Sequence, residues 1–351
     1  MNVIVRRTGI VAACAVFAML AAVQTGAQDP DESDFEDWQR DELRPLLEAI
    51  NAAVAGEIVP DANPFEMVPD FLKGTDGNAY VPFTLTVDPA KVTTPTLAMY
   101  VYVSEAPAAS TTSGGATATL SLSAEPMAPL FEDAFFAEVA SGGTDPIRIS
   151  RAFAVPGGAY DVYVALRESA GSQSEATPAS PVMLLRERVD VPDLWDGRLQ
   201  TSTVILSELV EPLDAPLTPE EQIASPYSLG TTRIVPKLDR DFDTQDELSP
   251  IFIIYNPSAA DGSKPDITIE YNFYEQTADG EEYFNKTNPQ EFNSRTLPPD
   301  FDVALGHQLV GGQTVPLSLF PVGEYRLEIK VIDNNDSTEV VRNVIFSVQE
   351  T

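Results

Sequence analysis

Asp239, Asp241 and Asp243 stand at alternate positions with Asp246 and Glu247 close behind, the spacing at which loops present carboxylate oxygens to calcium. Thr244 stands where a helical calcium hand has its sharp-turn glycine, and Pro250 where it has its bidentate glutamate. The run therefore reads as a looser calcium site or as a solvated acidic loop. His307 is the one imidazole available to a Ser/His/Asp arrangement. It lies between Gly306 and Gln308, ahead of Gly311-Gly312, and no Gly-x-Ser-x-Gly elbow precedes it, which is the setting of a loop histidine. The 54 Asp plus Glu offer carboxylate pairs for glycoside hydrolysis by number alone, yet such chemistry needs one raised pKa and a defined gap. With 1 Cys and 1 His, zinc, haem, copper and iron–sulfur sites cannot be assembled within one chain. No glycine-rich loop is present to cradle a nucleotide phosphate.

The net charge of −33 repels phosphate backbones, so nucleic acid is excluded as a partner. Arg6 and Arg7 precede an apolar run from Ile10 to Val23, and Thr25-Gly26-Ala27 supplies small residues before Gln28. This has the form of a signal peptide, residues 1–27, and the run is too short for a permanent membrane span. Cleavage after Ala27 removes Arg6, Arg7 and Cys14 but no acid, taking the charge from −33 to −35. Without cysteine, apolar burial alone must hold each domain together. The expected location is periplasmic or secreted, in a bacterial envelope.

The elements that would position any site follow from periodicity. Residues 28–73 hold an acidic lead-in, Asp29 to Glu42, expected to fray. A short amphipathic helix follows, with Leu43, Leu46, Leu47, Ile50 and Val54 at helical spacing, Pro45 near its first turn and Gly56 at its end. Its stripe is expected to pack on the chain's own first domain. From about Tyr80 the period changes to two: Pro82 to Val87 and Leu97 to Val103 read as strands, Phe131 to Ala140 as a helical turn or, by the alternation of Phe135, Ala137 and Val139, rather a strand, and Thr117 to Ser123 as an edge strand inside a long surface excursion. Tyr100, Tyr102, Tyr163, Tyr255, Tyr271, Phe273 and Tyr274 fall on such strands, either packed in or facing outward to meet a sugar or a protein.

An internal echo sets the architecture. Val155-Pro156-Gly157-Gly158-Ala159-Tyr160 through Leu166 matches Phe320-Pro321-Val322-Gly323-Glu324-Tyr325 through Val331 at a constant offset of 165 residues. In each copy a proline and a glycine, Pro156 with Gly158 and Pro321 with Gly323, turn a corner into a strand that opens with a tyrosine. That pattern resembles the penultimate strand of an immunoglobulin-type or fibronectin-type sandwich, whose corner tyrosine bonds back to the preceding backbone. The fold class is all-β: two tandem immunoglobulin/fibronectin-like β-sandwich modules, residues 74–193 and 194–351, the second including a linking strand. Strands at Thr203 to Val210, Ile251 to Tyr255, Ile267 to Tyr274 and Glu282 to Phe284 build the second, and Ala278-Asp279-Gly280 is hairpin-turn chemistry.

The run Pro226 to Pro236, the phrase Asp266-Ile267-Thr268-Ile269-Glu270-Tyr271, and Phe320 to Val331 with its trailing hairpin resemble immunoglobulin-like or macroglobulin-like modules of uncharacterised secreted bacterial proteins. Such modules often accompany a von Willebrand A domain or a domain named for a Gly-Trp-x-Thr-Asp motif, and neither companion motif is present here. The resemblance implies fold and location and transfers no catalytic residue. The expectation is a chain without catalytic residues or cofactor, calcium aside, that meets an envelope or extracellular protein partner through loops or sheet edges. A polysaccharide met by exposed aromatics, calcium-dependent adhesion and a secreted hydrolase are the alternatives.

Overall fold

The computed structural model describes residues 35–57, 64–107, 128–171, 180–259 and 264–350. Residues 1–27, expected to be a signal peptide, the acids before Phe35 and the edge strand expected at Thr117 to Ser123 lie outside them. Two compact units emerge: described residues up to Trp195 together with Pro219–Pro226, and Asp196–Thr218 together with Tyr227 onward.

The first unit opens with helix α1 (Asp37–Val54), followed by β1 (Glu66–Pro69), β2 (Leu72–Lys73), β3 (Asn78–Val87), β4 (Thr96–Glu105), β5 (Phe131–Glu138), β6 (Ile147–Pro156), β7 (Gly158–Glu168) and β8 (Met183–Val191). One sheet places β1 and β2 along one edge of β3 and β6 along the other, and the second runs β5-β4-β7-β8, with every pairing antiparallel. The chain crosses from sheet to sheet between β3 and β4, between β5 and β6 and between β6 and β7, as in the immunoglobulin-type Greek key. Inward-facing Phe83, Leu85, Met99, Phe153, Val162 and Val164 meet in the core between the sheets.

The outer face of the second sheet is also buried. Ala98, Tyr100, Tyr102, Tyr163 and Ala165 pack under Leu43, Leu46, Ile50 and Ala53 of α1. Two-sided burial is why β4 and β7 read as continuous apolar runs rather than alternating ones. The helix starts earlier than its apolar stripe suggests, so Pro45 sits in its interior rather than its first turn. The residues expected to fray from Asp37 to Glu42 are helical instead. Glu36 and Gln39 form a capping box, Arg44 pairs with Asp41 three residues back, and buried Glu42 accepts from the Ala170 backbone N–H at 2.8 Å. Sheet pairing likewise begins at Glu66, ahead of the expected boundary at residue 74.

The second unit comprises β9 (Gln200–Thr201), β10 (Ile205–Pro212), β11 (Ser228–Leu229), β12 (Thr232–Pro236), β13 (Asp241–Asp243), β14 (Glu247–Tyr255), β15 (Ile267–Thr277), β16 (Gly280–Lys286), β17 (Gln290–Phe292), β18 (Leu309–Gly312), β19 (Val315–Pro316), β20 (Gly323–Asp333) and β21 (Thr338–Gln349). One sheet runs β11-β12-β10-β14-β18, and the other β13-β21-β20-β15-β16. With β14 and β18 neighbours in one sheet and β15 and β20 in the other, the central order repeats that of the first unit. Here β15 and β20 alternate, burying Ile269, Tyr271, Phe273, Leu327 and Ile329 and leaving every second residue outward. The short helix α2 (Pro219–Ala224) falls in sequence between β10 and β11 yet belongs to the first unit, packing against β6. The Tyr80 hydroxyl donates to the Pro226 carbonyl at 3.3 Å beside it. Sequence spacing alone assigns that excursion to the second module.

Candidate interaction surface

Both corners have the same bond. The Tyr160 hydroxyl donates to the Pro156 carbonyl and the Tyr325 hydroxyl to the Pro321 carbonyl, each at 2.8 Å, and both rings are buried. Burial pushes the Tyr325 phenol up to about 12. The glycines differ in their constraint. A Cβ on Gly158 would meet the Tyr160 hydroxyl at 3.1 Å, whereas one on Gly323 would find nothing nearer than 3.8 Å. At the first corner Gly157 is tighter still: a Cβ there would lie 2.7 Å from Asp193 Cα.

The structure does not bring Asp239, Asp241 and Asp243 together as ligands. Asp239 pairs with Lys237 at 2.9 Å, Asp241 accepts from the Ser347 hydroxyl at 2.5 Å, and the Asp243 backbone N–H donates to Asp246 at 2.9 Å. Between the last two, Phe242 enters the core, because β13 lies parallel against the end of β21 and alternation fixes the carboxylates along a strand rather than around a point. Among the described residues no group of three or more His, Cys, Asp or Glu gathers as a metal site. His307 accepts the Asp302 backbone N–H on Nδ1 at 3.0 Å and leans on Phe301.

Of the aromatics expected on strands, Tyr100, Tyr102, Tyr163, Tyr255, Tyr271 and Phe273 are buried. Tyr274 is the exception, half-buried on the outer face of the second unit's sheet, with Tyr283, 56% exposed, edge-on to it across the ladder at 5.8 Å. Across the ladder from Tyr274, on β20, is Arg326, its guanidinium 4.2 Å from the Tyr274 ring centroid and forked onto Glu281 through bonds of 2.6 and 2.7 Å. It also reaches Glu328 and Asn343. The Arg326 bonds hold the Glu281 carboxyl down at about 2. Alternation along β20 makes Arg326 a solvated side chain; cross-strand neighbours instead leave it 18% exposed. Lys330 pairs with Glu339 at 2.6 Å further along the same face. At the rim, the hairpin joining β15 and β16 turns through Ala278-Asp279 into Gly280, at φ +126°. Beyond it β16 forms the last strand of its sheet.

No protein-family model matches the chain, and no curated protein matches it significantly. Among solved structures it is similar to the trypsin-activated alpha-2-macroglobulin of Escherichia coli, at 11% identity over 84% of this chain and 17% of that one, with a TM-score of 0.22. Salmonella alpha-2-macroglobulin reacted with methylamine gives 12% identity over 83% of this chain and 17% of that one, with a TM-score of 0.20. This chain thus spans about a sixth of those proteins (17% of each). These likenesses are slight, and the sandwich class stands on the strand order and the two corners.

Several of these positions leave no mark on a spacing pattern. Gly157 is restricted by Asp193, far along the chain, and Gly311 by the ring of Phe252, 2.4 Å from where its Cβ would stand. Glu42 looks like one more acid of a charged segment and is buried. The one legible signal was at Tyr163 and Ala165, which stand in the echo where Glu328 and Lys330 stand 165 residues on. Apolar residues at outward positions announce a covered face.

Proposed function

We propose that this chain is an exported, non-enzymatic binding or spacer element of the bacterial envelope, and that it recognises a protein partner through strand edges of its sandwiches. The observation that carries this reading is the construction of both units: interiors filled by apolar side chains around a tyrosine corner, with polar groups spent on holding strands together. The imidazole and the Asp239 to Asp243 run, the sequence's strongest chemical candidates, are engaged in local backbone and side-chain bonds. The acidic charge favours basic partners by steering. Location rests on the form of the first 27 residues and the resemblance to secreted modules. The test is cross-linking of the purified chain in envelope extract, run beside a broad hydrolase screen. Capture of a partner that added free chain displaces is the expected result. Turnover that a point substitution abolishes, with nothing captured, overturns the reading.

A further inference from the structure

Strand addition needs an edge with its backbone groups free and no side chains in the way. In the second unit's second sheet, the edge of β21 is occupied in part: β13 pairs with Ser347 to Gln349, and Arg342 turns to bond Thr201 at 2.9 Å. In the first unit, β5 and β8 each pack several side chains inward. The strand β16 differs. It pairs with β15 on one side, no described strand pairs with the other, side chains take up the Gly280 carbonyl, from Thr277, and the Lys286 N–H, to Asn285, and all of its residues are exposed except half-buried Phe284.

That one inward ring anchors the strand, 4.9 Å from Phe320 and 5.4 Å from Tyr325. Glu281 is fixed by Arg326 on the outer face, with exposed Tyr283 beside it, edge-on to Tyr274. The edge is thus held in shape before anything binds, which lowers the ordering cost of adding a strand.

Its charge selects the occupant. Glu282 lies directly across the ladder from Glu275, a like-charge pairing that costs stability, and Asp279 sits at the hairpin tip. A cation brought alongside Glu282 would relieve that repulsion. A second copy of the chain brings the same acids and a net charge of −33, so self-pairing is opposed.

We propose that the free edge of β16, Gly280–Lys286, receives an extended lysine- or arginine-bearing segment of a partner protein as an added strand. This rests on the protein-binding reading above and names its place and chemistry.

The probe is a synthetic peptide alternating lysine with threonine and valine, titrated into the full chain at low salt and followed by calorimetry and amide hydrogen exchange. The expected result is binding with slowed exchange confined to Gly280–Lys286 and its β15 partner. N-methylation of alternate peptide amides should abolish it, because the bonds of strand addition are main-chain bonds. Glu282→Lys should weaken binding roughly five- to tenfold, while Glu48→Lys, an equal charge change at an exposed position of α1, leaves it unaltered. A thermal melt of the Glu282→Lys chain checks that it folds; loss of the Glu275 repulsion should keep it at least as stable. Equal affinity of the N-methylated peptide, equal effects of the two variants, or no binding overturns the proposal. Protection at another edge overturns this site and leaves partner binding intact, whereas failure of the cross-linking experiment removes the broader reading.

Discussion

Replacing Tyr325 by phenylalanine isolates the corner bond from the core it closes. The ring of Tyr325 is fully buried, with Phe320, Phe284 and Phe346 at 5.2, 5.4 and 5.5 Å, and Tyr325→Phe keeps all of those contacts. What it loses is the 2.8 Å bond to the Pro321 carbonyl. Pro321 is exposed, so water can take over that carbonyl and no buried acceptor is orphaned. The cost should therefore be that of one net hydrogen bond, about 1 kcal/mol. Tyr325→Ala removes the ring as well and should cost about 3–5 kcal/mol. In urea, with a slope of about 2 kcal/mol per molar, the first change moves the midpoint by about 0.5 M. Both tryptophans, Trp38 and Trp195, lie in the first unit, so tryptophan emission reports that unit alone, while circular dichroism sums both and the second unit is read from the transition that the emission does not share. Tyr160→Phe should shift the tryptophan-detected transition by a similar amount and leave the other alone, since each corner serves its own unit. A Tyr325→Phe chain as unstable as Tyr325→Ala, or one with no shift, would refute the claim that the hydroxyl pins the corner while the ring fills the core.

Three further outcomes follow from the same geometry. Gly311→Ala places a methyl 2.4 Å from the Phe252 ring and should destabilise the second unit by about 1–3 kcal/mol, whereas Gly323→Ala, with no contact under 3.8 Å, should stay within about 0.5 kcal/mol in the same denaturation assay. Leu46→Asp puts a carboxylate beneath α1 at a fully buried position; Trp38, tilted against Phe136 at 5.4 Å, should report the helix lifting by a red-shifted emission. The Tyr325 phenol is raised to about 12 from an ordinary 10.0, so the fold favours its protonated form. That contribution is complete below about pH 10 and lost as pH climbs through 12, and Tyr325→Phe should flatten this part of an alkaline stability profile for the second unit.

The legible parts of this protein are those in which neighbours in sequence are neighbours in space. A corner needs proline, glycine and tyrosine within a few residues, and its bond spans only four, from Tyr160 to Pro156 and from Tyr325 to Pro321. Alternation likewise marks β15 and β20, whose two faces meet different surroundings. At Asp239, Asp241 and Asp243 the same logic leaves a calcium site and a solvated acidic loop alike, because spacing measures distance along the chain and not convergence in space; two of the three lie on β13.

Composition and local pattern thus determine, unaided, the all-β class, the two repeated corners and the strands that alternate. Only tertiary packing decided that α1 roofs one sheet while no described helix roofs its counterpart, that Gly157 and Gly311 leave no room for a methyl, and that β16 is the last described strand of its sheet. The physical reason is that each of these depends on what segments distant in the chain do to one another's surface. A backbone edge, a crowded Cβ or an outward tyrosine takes its environment from whichever remote element happens to reach it.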